Sequence, residues 1–418
     1  MADLPRAAGF DNSLGLLAEG YRFIGNRCEA LKSDIFRTRL MLSDAICMKG
    51  AEAAEVFYTP GRFTRVGAMP ATTLMSLQDR GSVQALDGAE HRQRKAMFMA
   101  LMTPERRRRM TEEVEAQWLA RLASWKGAGA IRLFPEVSEI LGRAVCAWSQ
   151  VPPLTNAEAK KLARELSAMI DGAGSFGPRN WRGLLLRLSC ERWARHLFRR
   201  VRSGELTVPH DGALGLIASH RDADGNLLDD KIAAVELLNI LRPTLAVDRF
   251  IVFAALALKD HPLWREKLAA GEDRDLEAFV QEVRRYYPFF PVIAGRVRQE
   301  FEWRGHRFRK GEWVLLDLYG TNRDARAWDS PEEFRPERFY AEGNITPYNL
   351  IPQGGGDYHE GHRCPGESLT IDVMKTAVRL LTKSMIYDVP PQDLTINLAR
   401  MPAIPKSRFI ISNVRPVA

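Results

Sequence analysis

The sequence predicts a mainly α-helical protein with a minor β region. Apolar residues recur at helical spacing through successive segments between Pro104 and Arg202, and again along one long pattern from Asp230 to Leu258. Strand-like runs are short and few: Ile35 to Leu42 near the N-terminus, then turn-punctuated runs between Glu300 and Leu318. With 418 residues, 45% hydrophobic and 27% charged, the composition is that of a globular protein with a large core. One domain over residues 1–418 is expected.

Composition also excludes. The five cysteines (Cys28, Cys47, Cys146, Cys190, Cys364) have no repeating spacing, which argues against a disulfide framework and for a reducing compartment. The N-terminal residues hold no apolar run of signal-peptide or anchor length, and the greasiest stretch, Phe250 to Leu258, is too short to span a bilayer. A cytoplasmic protein without an integral membrane segment is the expectation. The net charge is +8 and the pI is near 9.3. Arginines run from Arg106 to Arg109 and cluster between Arg179 and Arg200. No stacking pattern or reader motif accompanies them, so nucleic acid is not an expected partner. A basic surface can still help collect anionic substrates.

The elements follow in order. To about Gly67 the chain mixes helical signals, Ser13 to Ala18 and Ala51 to Phe57, with the first strand run. Thr73 to Asp87 reads as loop plus a short helix and contains Gln84. His91 and Lys95 open a helix that stops at Thr103-Pro104. Four residues apart, they share a face that either grips one anion or is simply solvated. Amphipathic helices then cover Thr111 to Trp125, Glu136 to Gln150, Asn156 to Ile170 and Leu184 to Val201. The small residues from Asp171 to Pro178, Ala173 among them, suit a helix end near a narrow cavity or a plain breaking loop.

The long pattern from Asp230 holds Arg242-Pro243. The proline removes a backbone donor, and an arginine among apolar neighbours is costly to bury without an anion. That anion is either an internal carboxylate or a bound substrate. Leu276 to Tyr287 is helical, with Glu282 and Arg285 three apart on one face. Tyr286 to Pro291, including Phe289 and Phe290, ends it. Hairpin-like strands follow at Glu300 to Trp303, His306 to Phe308 and Trp313 to Leu318. Ser368 to Tyr387 reads as a long helix, and Asp393 to Val414 as short strands.

Gln353 to Glu367 sets a single cysteine, Cys364, in a glycine-rich loop ahead of that helix. Glycines let backbone approach a flat ligand, and the helix N-terminus favours a thiolate. No second cysteine lies nearby, which excludes a zinc knuckle or a disulfide redox pair. One sulfur in such a loop suits a haem iron with its opposite face open. The plain alternative is a surface loop with an inert cysteine.

Glu282-x-x-Arg285, then Pro336-Glu337-Arg338-Phe339, then the cysteine loop and a helix, resemble the cytochrome P-450 superfamily over essentially the whole chain. The resemblance implies the triangular haem-thiolate fold and a haem b between the helix around Arg242 and the helix after Cys364. It implies a buried network of Glu282, Arg285 and Arg338, with Cys364 as axial thiolate and metal ligand. His362, His91 and Lys95 would meet the haem propionates, with Arg65 and Arg296 as further partners.

The departures carry information too. Asp357 stands where the family usually has Phe, and Glu360 where it has Gly, with Gly361 one step later. The family's distal acid and threonine are replaced by Arg242-Pro243-Thr244. Arg-Pro with the triple glycine resembles the bacterial fatty acid peroxygenase branch. That implies hydroxylation of long-chain fatty acids at Cα, or Cβ, by hydrogen peroxide without a redox partner. Arg242 would hold the substrate carboxylate, which then acts as general acid–base. The implied catalytic set is Arg242, Pro243 and Gln84, and the implied substrate contacts are Arg242, Gln84, Ile170, Ala173, Phe289 and Phe290. Alkene-forming members often carry His at the position of Gln84, so Gln84 points to hydroxylation. Oxidative decarboxylation to terminal alkenes, a redox-partner-dependent monooxygenase, and a haem-based sensor or fatty acid carrier remain the alternatives.

Overall fold

Helix starts follow from local chemistry. The computed structural model describes residues 4–77, 81–271, 273–341 and 343–417. Ten of its helices frame the site: α1 Ser13–Glu19, α2 Gly88–Met99, α3 Pro104–Trp125, α4 Leu133–Trp148, α5 Asn156–Ala173, α6 Pro178–Arg202, α7 Asp230–Ala246, α8 Asp248–Asp260, α9 Asp273–Tyr286 and α10 Glu367–Arg379. Thr103 caps α3, and Pro104 fills its first position, where no N–H is needed. Thr155 and Glu158 close a reciprocal capping box on α5. Asp229 accepts the N–H of Lys231 at 2.7 Å to start α7.

The helices enclose one large apolar core in which Trp118, Leu141, Leu237, Phe250 and Met374 are fully buried. Each such side chain stabilises the fold by roughly 1.5–3 kcal/mol. The strands are β1 Ile35–Leu40, β2 Ser43–Lys49, β3 Phe63–Thr64, β4 Ile131–Arg132, β5 Val292–Val297, β6 Phe301–Trp303, β7 His306–Phe308, β8 Trp313–Asp317, β9 Met385–Asp388 and β10 Ile410–Pro416. The main sheet runs β1-β2-β8-β5-β3, with β2 and β8 parallel in the register Ile46 to Val314. The mainly helical class with a minor β region is therefore what the chain adopts.

Four expectations need correction. The pattern from Asp230 to Leu258 is two helices, α7 and α8, separated at Val247. Pro243 lies inside α7 without ending it, and the last turn tightens where Val247 N–H reaches Thr244 O at 3.3 Å. The helix expected from Ser368 to Tyr387 stops at Arg379, passes through a wider turn at Leu380–Ser384, and becomes strand β9. Pairing of β9 with β10 overrides the apolar period there. Trp313–Asp317 is no third hairpin strand: wholly buried, it lies between β2 and β5. Strand β4, inside the expected helical region, pairs with β10. Part of the expected loop before Gln84, residues 78–80, lies outside the described residues.

Candidate active site

On α7, Glu236, Asn239 and Arg242 recur every three residues and share a stripe. Arg242 is 4% exposed. Its NH2 donates to Asn239 Oδ1 at 3.0 Å, while NH1 has no hydrogen-bond partner among the described residues. Asn239 Nδ2 donates onward to Glu236 Oε2 at 2.9 Å and to Gln84 Oε1 at 3.3 Å. Glu236 Oε1 in turn takes Arg94 NH1 at 2.8 Å and the Val83 N–H at 2.9 Å. The nearby carboxylate is thus spent on Arg94, and Arg242 has no internal carboxylate partner among the described residues. Burial, then the Arg187 cation, pushes Arg242 down to about 9. Arg187 is itself buried; its Nε donates to Glu191 at 2.6 Å, and its other two nitrogens have no partner among the described residues. Pro243 is exposed between the buried Arg242 and Thr244, so α7 turns one face to open space there.

The cysteine loop is held by its own neighbours. A Cβ at Gly355 would stand 2.5 Å from Pro347 O, and one at Gly356 (φ +78°) would stand 2.7 Å from Tyr58 Cβ. Asp357 Oδ1 accepts the N–H groups of His359 at 2.8 Å and Glu360 at 2.5 Å, which gives the altered residue a turn-forming role. Gln353 Nε2 lies 3.9 Å from Cys364 Sγ, and the Cys364 N–H donates to Gln353 O at 3.3 Å. The thiol does not become a thiolate through the helix N-terminus alone. Burial, aided by the Glu367 carboxylate, pushes it up to about 11. Glu367, in the first turn of α10, binds Arg363 at 2.6 Å and the buried Arg284. Sequence reasoning passed over Arg284 and Glu367, although Arg363 and Glu367 are four apart.

His91 and Lys95 are buried, which rules out a solvated cationic face. Lys95 Nζ donates to the carbonyls of Gly361 and, at 2.9 Å, Arg363, tying α2 to the cysteine loop. Burial lowers Lys95 to about 8. The rings of His91 and His362 sit 4.0 Å apart. Burial, then His362, holds His91 at about 3, so it is neutral and offers an N–H rather than a charge. His362 Nε2 is 3.9 Å from Asp87. Arg65 NH1 donates to Ala294 O at 2.6 Å, with its guanidinium 5.6 Å from the Tyr58 ring centroid. Arg296 uses two of its nitrogens on Gly67 O (2.8 Å) and Gly311 O (3.1 Å).

Behind the loop, Glu282 receives Arg285 at 2.7 Å through both carboxylate oxygens and Arg338 at 3.2 Å. Arg285 and Arg338 both donate to Glu333 O, so the network also pins the chain before Pro336. Phe289 stacks on Phe250 with centroids 4.1 Å apart, and Phe290 is exposed beside it. Ile170 and Ala173 close the end of α5, where Ala173 O accepts Thr73 Oγ1 at 3.0 Å. A haem fits what is present: a lone sulfur donor, neutral imidazoles and buried cations around the loop, and an open face at Pro243 on α7.

Residues 276–397 match the family model Cytochrome P450. Cytochrome P450 3A17 of Cavia porcellus is 28% identical over 208 residues, 45% of this chain and 41% of its own length. The chain thus matches less than half the length of that curated relative. Among solved structures, cytochrome P450SP alpha (CYP152B1) in complex with (R)-ibuprophen is 48% identical, over 97% of this chain and 99% of that one, with a TM-score of 0.94. Cytochrome P450EX alpha (CYP152N1) with myristic acid is 42% identical over the whole of both chains, at a TM-score of 0.95. A variant of cytochrome P450 OleT in complex with arachidonic acid is 34% identical over 100% of this chain and 99% of that one, at 0.95. With such likeness end to end, the chain belongs to the cytochrome P450 family, in the branch that holds CYP152B1 and CYP152N1.

Proposed function

We propose that this cytochrome P450 hydroxylates long-chain fatty acids at Cα, and secondarily Cβ, with hydrogen peroxide and without a redox partner. The unpartnered, buried NH1 of Arg242 carries the reading. Relatives solved with myristic and arachidonic acid support a carboxylate as its missing anion. Family membership implies a haem iron under thiolate ligation, and Cys364 is the proposed ligand to a haem b. A haem iron held there would favour the thiolate form of Cys364 that burial alone disfavours. His91, His362, Lys95, Arg65 and the remaining edge of Arg296 are the proposed propionate partners.

When bound, the haem supplies the oxidising chemistry, by which one peroxide oxygen enters a C–H bond and the other leaves as water. Arg242 holds the substrate carboxylate by charge-assisted hydrogen bonds. Asn239, braced by Glu236 and Gln84, fixes the direction of that guanidinium. Pro243 offers no ionisable group to the open face, so the carboxylate is the group placed to take a proton from one peroxide oxygen and return it to the other. Held at its head, the acid presents Cα first. Phe289, Phe290, Ile170 and Ala173 are the proposed walls for its chain.

The test is product analysis after mixing the haem-loaded protein, a long-chain fatty acid and hydrogen peroxide. A 2-hydroxy acid, with some 3-hydroxy acid, is expected. Turnover only with an electron-transfer partner, or alkene as the main product, would replace this reading. Cys364→Ala should abolish the carbon monoxide spectrum typical of thiolate ligation.

A further inference from the structure

The solvent face of α6 is unlike an ordinary helix exterior. Trp181, Leu185 and Leu188 lie at i, i+4 and i+7, at 63%, 68% and 55% exposure. Phe176, in the loop before them, is 54% exposed. Contiguous apolar surface of this kind marks an interaction site more often than scattered exposed residues do. Its surroundings are cationic. Helix α6 carries eight arginines and a single acid, Glu191, which is buried against Arg187; Arg199 and Arg202 pair with Asp230 and Arg200 with Glu205 at the far end of the helix, whereas Arg182 sits beside Trp181. Arg182 joins Lys160, Lys161 and Arg164 of α5 around an open cleft of about 390 Å³.

Among the described residues no helix is long and apolar enough to cross a membrane, so contact would be with a surface. An apolar stripe edged by cations suits a bilayer with anionic headgroups: the side chains enter the interface and the cations meet the phosphates. Helix α5 also ends in Ile170 and Ala173, proposed walls of the substrate pocket.

We infer that α6, with the adjoining cationic edge of α5, seats the protein on an anionic phospholipid surface. The use of that seat, taking fatty acid from the lipid phase, rests on the proposed function; the docking itself does not. Haem-loaded protein is floated with vesicles of phosphatidylcholine alone or mixed with phosphatidylglycerol, without substrate or peroxide. Mixed vesicles should bind at least about tenfold better, and salt should weaken binding. Lys160→Gln with Lys161→Gln and Arg164→Gln should lose roughly fivefold per charge. Trp181→Ser with Leu185→Ser should lose at least about tenfold, while haem content and peroxide-driven oxidation of the water-soluble octanoate stay at wild-type levels. Equal flotation with both vesicles, no flotation, or an unaffected serine variant overturns the inference. So does a solution dimer that the serine variant converts to monomer, which would assign the face to a second copy. A protein that floats as expected but oxidises no fatty acid would overturn the proposed function and leave the docking intact.

Discussion

Replacing Arg242 with methionine should separate stability from binding. Arg242 is 4% exposed and, among the described residues, its guanidinium makes one hydrogen bond, to Asn239 at 3.0 Å, with NH1 unpartnered. A buried donor left unpaired costs about 1–3 kcal/mol, and the lost bond to Asn239 is worth about 1 kcal/mol. The ligand-free haem protein should therefore be no less stable than wild type by more than about 1 kcal/mol. Binding should move the other way. Loss of a buried charge-assisted pair costs about 2–5 kcal/mol, so fatty acid affinity should fall roughly 30-fold to a few thousand-fold. Affinity is read by titrating fatty acid against the Soret band. Acetate or butyrate, added with an uncharged substrate, should restore peroxide-driven oxidation in wild type and do little for Arg242→Met. Unchanged affinity in the variant, or oxidation of the uncharged substrate equally well without the short acid, would refute the reasoning.

Other perturbations test other parts. His91→Ala with Lys95→Ala should lower haem retention through gel filtration, because the double variant would lose the proposed propionate contacts and free the Gly361 and Arg363 carbonyls; full occupancy would count against that role. Gln84→His should raise the alkene fraction while peroxide consumption continues, and identical product ratios would remove Gln84 from steering. Glu282→Gln strips the charge shared by Arg285 and Arg338 and should destabilise the fold by about 3–5 kcal/mol in denaturant melts. Burial raises Asp317 from 3.8 to about 7, so the fold favours its protonated form. Its contribution is present below 3.8 and is lost as pH rises through about 7, at up to about 1.4 kcal/mol per pH unit. Asp317→Asn should therefore melt higher than wild type at pH 8, with the gain shrinking towards pH 4.

The helices and the lone cysteine were legible because apolar period and local spacing are properties of neighbouring residues. Arg242 stood out for the same reason, as a charge in a run of leucines. Its brace was half legible: Glu236 and Asn239 sit three residues apart, but only burial shows that this stripe faces inward. The partner of Glu236 was not legible, since Arg94 comes from another helix far back in the chain. Nor was the place of β8, because a strand buried on both faces carries no alternation to name its neighbours. The opposing pull on Cys364 was not legible, because burial, which raises the free thiol, is a tertiary quantity.

The identity of residue 239 has a consequence for ligand choice. Along the stripe of Glu236, Asn239 and Arg242 the formal charges in contact are those of Glu236, Arg94 and Arg242, which sum to one positive charge; the neighbouring Arg187–Glu191 pair is neutral. An aspartate in place of Asn239 would cancel it from within. The carboxamide orients the arginine without neutralising it, so the seat is electrically complete only after one monoanion arrives. A fatty acid headgroup brings one negative charge. An alcohol brings none, and a phosphomonoester brings nearly two. On the proposed role of Arg242, such a seat would sort head groups by valence before chain shape matters.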